Sequence, residues 1–260
     1  MTKLSDVSLD SGFIQAQTLQ NNTVWQVSFE RIASKNALNL AMYQDLANVL
    51  AGFVAQPEAR ALVVTGSEGC FTSGNDLADF ASAGADGALS SESPLWQFML
   101  ALRDCPKPVV MAVEGVAVGI GSTMLLHADA VFAAPSASFA MPFAKLGLCP
   151  EYASSFILPR LAGYLQAAQW LMLGETFSAE EALHGRLINA VVQEPLAAAL
   201  EHASKLAAMP PQALINTKQL LKASDKQAID TCMTQEAQVF AKALSGKEFA
   251  AAIAAFFTRK

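Results

Sequence analysis

The sequence predicts an α/β fold, and three observations carry that prediction. Residues 61–65, 108–113 and 130–133 are short apolar runs. Runs of this kind are typical of strands covered on both faces, as in parallel sheets. A glycine-containing turn and then a helical pattern recur after such strands. From Leu196 onward the chain is almost all helical pattern.

Residues 12–20 and 23–30 read as two strands joined at Asn21-Asn22, a pair suited to a hairpin turn. Val24, Gln26 and Ser28 alternate with Trp25, Val27 and Phe29. Residues 37–54 have helical spacing, with Leu38, Met42, Leu46, Val49, Leu50 and Phe53 on one stripe, and Asn36 or Asn39 could start the helix. The strand over 61–65 ends at Gly66, and the one over 108–113 at Glu114-Gly115. Residues 79–93, rich in Ala, Gly and Ser, read as a mobile loop. Helices are expected over 122–127 and 152–158. Ser178-Ala-Glu-Glu181 is a capping box for a short helix stopping near Gly185, with strand over 187–192. The helical pattern that begins at Leu196 divides the chain into a core over 1–195 and a helical region over 196–260, the latter broken at Pro210-Pro211.

Composition narrows the function. Hydrophobic residues make up 53% and charged ones 15%, the opposite of a disordered chain, and so apolar a chain suggests surface buried between subunits. A net charge of −6 argues against general nucleic-acid binding, which needs a basic footprint. Residues 1–200 carry 9 Lys/Arg against 18 Asp/Glu, and residues 201–260 carry 8 against 5. The basic tail is either a solvated helix face or a neighbour of a phosphate-bearing ligand. Cys70, Cys105, Cys149 and Cys232 form no CxxC pair, and the three histidines lack metal-ligand spacing, so no metal and a reducing, cytoplasmic setting are expected. No signal peptide is legible in the first residues. The apolar window 109–126 holds Glu114 and three glycines, which argues against a membrane span. The final Thr-Arg-Lys is not a peroxisomal address.

Three stretches could carry chemistry. Residues 69–77 follow a strand, and Gly74 allows close backbone approach while Asp76 can cap the next helix. Residues 114–122 also follow a strand, and the Ile120 N–H, between Gly119 and Gly121, lies near a helix N-terminus. The pattern is not G-x-G-x-x-G, which excludes a dinucleotide fold. Two such turns suggest a pair of backbone N–H groups around an oxyanion. The third stretch, 142–155, holds Glu151 between Pro150 and an apolar helix. It is either a first-turn glutamate facing the helix dipole or a desolvated catalytic base.

Together these stretches resemble the crotonase superfamily, the enoyl-CoA hydratase/isomerase group. Ser34-Lys-Asn-Ala-Leu-Asn39 is similar to that family's Asn-Ala-Leu segment. Residues 71–77 and 113–121 resemble its two oxyanion turns, and 178–192 its late signature. The resemblance implies a spiral of ββα units with C-terminal helices that assemble a homotrimer or a dimer of trimers. It implies an acyl-CoA thioester as substrate, with no cofactor beyond the coenzyme A that the substrate carries. It assigns the oxyanion donors to the N–H groups of Asn75 and Ile120. It assigns substrate contacts to Lys35, Ala37, Leu38, Ser73, Gly74, Asp76, Leu77 and Gly119.

The departures point to a subclass. Hydratases of this family carry glutamates where Thr123 and Phe143 stand here. Residues 73–77 and 146–151, with Ser154-Ser155, resemble the Δ3,Δ2-enoyl-CoA isomerase branch instead. That resemblance makes Glu151 the catalytic carboxylate, with Asp76 and Asp129 structural. A hydratase, another crotonase reaction such as thioester hydrolysis, and a non-catalytic acyl-CoA binder remain the alternatives. The acyl pocket is expected near Leu77, Phe80, Trp96, Phe98 and Met99, and the CoA phosphates near Lys35, Lys247 or Lys260.

Overall fold

A computed structural model describes residues 4–79, 90 and 92–258. Most of the expected loop over 79–93, with Phe80, and Lys260 therefore lie outside the described residues.

The chain opens with strands β1 (Ile14–Leu19) and β2 (Val24–Phe29), paired antiparallel with Leu19 opposite Val24. Gln20, Asn21 and Asn22 in the turn are all left-handed. That conformation is cheapest for Gly and Asn. Helix α1 (Leu40–Ala55) is capped by Asn39, whose side chain accepts from the Met42 N–H at 2.9 Å. Its expected stripe is buried, from Met42 to Phe53. Strand β3 (Ala61–Thr65) follows, then helix α2 (Pro94–Arg103), capped by Ser93.

Strand β4 (Val109–Val113) pairs parallel with β3, and the chain then makes a short second strand, β5 (Val116–Val118). Helix α3 (Ile120–Thr123) runs into a 3-10 turn over Met124–His127. Strands β6 (Ala130–Ala133) and β7 (Ser138–Ala140) repeat the step, β6 beside β4 and β7 beside β5. These two steps each lay one strand in a large sheet and one in a small sheet before the chain turns helical. Helix α4 (Ser154–Leu161), helix α5 (Tyr164–Ala168), strand β8 (Phe177–Ser178), helix α6 (Ala179–His184) and strand β9 (Ala190–Val191) follow.

The large sheet has the order β1-β2-β3-β4-β6-β9 and the small one β5-β7-β8. Every residue of β3 and β4 is buried, as two-sided coverage requires. On one face, Leu62, Val64 and Met111 pack with the stripe of α1. On the other, Val63, Val110 and Ala112 meet Ala199 and Ala203 of helix α7 (Pro195–Ala207). Helices α8 (Pro211–Ala223), α9 (Lys226–Leu244) and α10 (Lys247–Thr258) finish the chain.

The structure departs from the sequence reading in instructive places. Strands β5 and β7 are three residues each, too short for alternation to register. The helix expected over 122–127 begins instead at Ile120 and loosens into 3-10 geometry. The helix expected from residue 152 starts at Ser154, because Tyr152 and Ala153 are left-handed. Among the described residues no helix is long and apolar enough to cross a membrane.

Candidate active site

Thr72 fixes the first turn. Its backbone extends the small sheet, donating to Val116 O at 2.9 Å and accepting from the Val118 N–H at 3.0 Å. Its hydroxyl donates to Asn36 O at 2.7 Å and accepts from the Gly74 N–H at 3.0 Å. Gly74 has φ +94°, and a Cβ there would lie 2.7 Å from Val118 O. Leu38 donates to Gly74 O and accepts from the Asp76 N–H, at 2.8 and 2.9 Å. In a parallel pairing this turns the N–H of the intervening Asn75 away from Leu38. That N–H has no hydrogen-bond partner among the described residues.

The second turn abuts the first. Gly119 has φ +57° and donates to Ala140 O at 2.9 Å, while its carbonyl accepts from the N–H groups of Ser122 and Thr123. Ile120, the first residue of α3, likewise has an N–H without a partner among the described residues. A Cβ on Gly121 would meet Thr72 Cγ2 at 2.6 Å, so the two turns are in direct contact. Asn75 and Ile120 both line one cavity of about 790 Å3, with Lys35, Ala37, Ser73, Asp76 and Leu77. Leu38 is buried behind the wall and acts through its backbone.

Glu151 is not in that wall. Its side chain is buried, with the Thr123 hydroxyl donating to Oε1 at 2.5 Å. Burial pushes its pKa up to about 8; the Thr123 hydrogen bond pulls it down, and the Glu236 charge raises it again. Tyr43 connects it to the first turn: the Tyr43 hydroxyl donates to Asn75 Oδ1, and the Glu151 charge adds to the burial that holds this phenol well above its ordinary range. Thr123 is thus the side-chain hydrogen-bond donor to Glu151.

Other carboxylates near the cavity are engaged. Asp76 accepts from Arg31 Nη1 at 2.7 Å and from the Ala78 N–H at 3.0 Å, the expected cap. Burial works against ionisation there, but Arg31 and Ala78 hold the carboxyl below its usual range. Asp129 pairs with Lys218 at 2.6 Å and accepts from the Val109 N–H, a structural role as expected.

The residues expected around the acyl chain do not all line this cavity. Leu77 lines the cavity, but Phe98 and Met99 are buried in the core beneath α1, and Trp96 packs against that core. The apolar wall is made instead by Phe143, Leu146 and Leu148 together with Phe240 and Phe249 from α9 and α10. Lys247 is not on this wall, whereas Lys145, which the sequence reading passed over, is. Lys145 follows Phe143 by two residues, and Tyr43 follows the Asn39 cap by one helical turn. Those spacings were the available signals for both.

The family described as enoyl-CoA hydratase/isomerase matches residues 19–260. The chain belongs to that family. Rat enoyl-CoA delta isomerase 2 is 32% identical over 91% of this chain, which spans 62% of that relative's length. The 2,3-dehydroadipyl-CoA hydratase of Escherichia coli is 31% identical over 90% of this chain and 92% of its own. The solved structure of Pseudomonas aeruginosa OdaA superposes with a TM-score of 0.90 at 38% identity, covering 95% of this chain and 99% of that one. The fold is therefore the crotonase fold of enoyl-CoA hydratases and isomerases, and both activities are represented among the relatives.

Proposed function

We propose that this protein is an acyl-CoA enzyme that moves a carbon–carbon double bond from the 3 to the 2 position of an enoyl-CoA thioester. The observation that carries this reading is Glu151: a buried carboxylate, raised to about 8, whose side-chain hydrogen-bond donor is Thr123 and not a second carboxyl group.

The thioester oxygen would accept from the N–H groups of Asn75 and Ile120. Glu151, ionised, takes the proton from C2. The electron pair moves into the thioester, and the resulting dienolate oxygen is held by the two N–H groups. Donors fixed in advance cost no reorganisation when charge develops, and losing one typically costs ~10²–10³ in rate. The protonated Glu151 then delivers the same proton to C4, the double bond moves to C2–C3, and the carboxylate is regenerated. A base near neutrality suits both halves of that transfer.

Hydration would need a second acid–base group to hold and deprotonate water. Thr123 and Phe143 stand where that branch carries glutamates, and neither can do this. Lys35 and Lys145 on the cavity rim would offer cations to the CoA phosphates. Isomerisation of a 3-enoyl thioester should greatly exceed hydration of a 2-enoyl one in side-by-side steady-state assays. Brisk hydration without isomerisation would overturn the reading.

The working assembly would be a homotrimer or a dimer of trimers. Tyr164, Leu165, Met172 and Leu173, with Leu220 and Leu221, are exposed apolar side chains, Leu165 at 84%. Apolar groups this exposed favour burial by another subunit. Sedimentation at micromolar concentration should give a trimer or hexamer, and a stable monomer would refute the assembly.

A further inference from the structure

Glu151 sits on a turn that does not hold itself. Tyr152 and Ala153 follow it with φ of +61° and +57°, consecutive left-handed residues without glycine. Each such residue is costly unless its surroundings enforce it. Part of the enforcement is local to the core: the Tyr152 hydroxyl donates to Met99 O at 2.7 Å, and the His127 ring stacks on Tyr152 at 3.8 Å. The rest comes from α9. The buried Glu236 carboxylate accepts from the Ala153 N–H at 2.6 Å, the Ser155 N–H at 3.0 Å and the Ser155 hydroxyl at 2.6 Å. It therefore grips the turn on the C-terminal side of Glu151 and caps the first residues of α4 from a helix more than eighty residues away.

We propose that Glu236 is a positioning residue for the Glu151 reaction: its carboxylate clamps the turn that aims Glu151 and sets a negative charge beside that turn. The inference rests on the reading of Glu151 as the proton carrier.

The surroundings leave Glu236 as the charge that matters. The groups facing Glu151 are Tyr43 of α1, Thr123 of α3, Cys149 and Tyr152 of its own segment, and Glu236 of α9. Burial raises both phenols well above their ordinary range and Cys149 to about 11, so none of the three is charged near neutrality. His127, behind Tyr152, is lowered by burial to about 3 and is also neutral. A nearby like charge raises a carboxyl pKa, and removing it lowers the value.

The test compares Glu236→Gln with Glu236→Asp by two readouts. The first is the pH profile of kcat/KM. The second is infrared titration of the protonated Glu151 carboxyl without substrate, its band assigned by its loss in Glu151→Gln. Gln removes the charge and one acceptor oxygen. It should lower kcat about tenfold or more with KM little changed. It should also move both inflections down by on the order of one pH unit. Asp keeps the charge but shortens the reach, so kcat should fall while both inflections stay near wild type. An unmoved infrared inflection in Glu236→Gln, or identical behaviour of the two variants, overturns the proposal. An infrared inflection that moves while the activity profile does not supports the action of Glu236 on Glu151 and refutes Glu151 as the base. Should Glu236→Gln fail to fold, Ser155→Ala at an exposed position removes one donor from Glu236. The less compensated charge should then move the infrared inflection slightly upward, and no movement counts against the proposal.

Discussion

The turns that carry Asn75 and Ile120 and the turn that carries Glu151 all use left-handed backbone, but they obtain it by different means. Gly74 and Gly119 adopt positive φ without steric cost, and backbone hydrogen bonds to Leu38, Val118 and Ala140 fix the rest. Tyr152 and Ala153 adopt it against their preference and are held by His127, Met99 and Glu236, contributed by three separate stretches of chain. The difference suits the tasks proposed for these residues. A backbone donor needs position only, and a strand with a glycine supplies that. A proton carrier also needs a tuned pKa, and only the side chains around it can provide one.

The backbone-built side should break at a single methyl group. Gly74→Ala puts a Cβ 2.7 Å from Val118 O on a residue with φ +94°. Moving Asn75 should cost ~10²–10³ in kcat, measured with a 3-enoyl thioester. Activity within a few-fold of wild type would mean that the Asn75 N–H is not a working donor.

The side-chain-built side should respond by tuning rather than collapse. Wild-type kcat/KM should rise about tenfold per pH unit and level near pH 8, since it follows the ionised fraction of Glu151 in the free enzyme. Thr123→Val removes the hydrogen bond that lowers this pKa, so the inflection should move to higher pH. A hydrogen bond to a charged group is worth about 1.5–3 kcal/mol, which is roughly tenfold or more in activity near neutrality. An inflection that stays put or moves down would show that Thr123 does not support the carboxylate.

A separate effect concerns stability. With a folded value near 8 against the ordinary 4.5, Glu151 weighs nothing below about pH 4.5. Its cost grows as pH rises toward 8 and is constant above that. A tenfold change in an ionisation constant corresponds to about 1.4 kcal/mol. Glu151→Gln should therefore melt higher than wild type at pH 8, with the gap closing toward pH 4. Equal melting temperatures at pH 8 would mean that Glu151 is not strained by burial.

The same contrast explains what the sequence disclosed. The glycine turns were legible because their signals are local: an apolar run, then glycines at fixed offsets. So were the Asn39 cap and the Ser178 capping box. Glu151 was legible as a residue, through its Pro-Glu setting, but the turn behind it was not. Its supports lie at His127, Met99 and Glu236, and nothing in the sequence pairs residue 153 with residue 236. The apolar lining of the cavity was hidden for a related reason. Phe98 and Met99 sit on α2, which the core claims, while α9 and α10 return Phe240 and Phe249 to the cavity. Strands β5 and β7 were hidden by their three-residue length, although they hold both donor turns in place.

In the proposed mechanism one carboxylate, Glu151, carries the proton from C2 to C4. A 3-enoyl thioester deuterated at C2 reads that step directly, through the deuterium that appears at C4 of the 2-enoyl product. Label should reach C4 with wild type and equally with Glu114→Gln, altered at a half-buried carboxylate after β4. Glu151→Gln should transfer none. Transfer at a near-wild-type rate in Glu151→Gln would refute the mechanism.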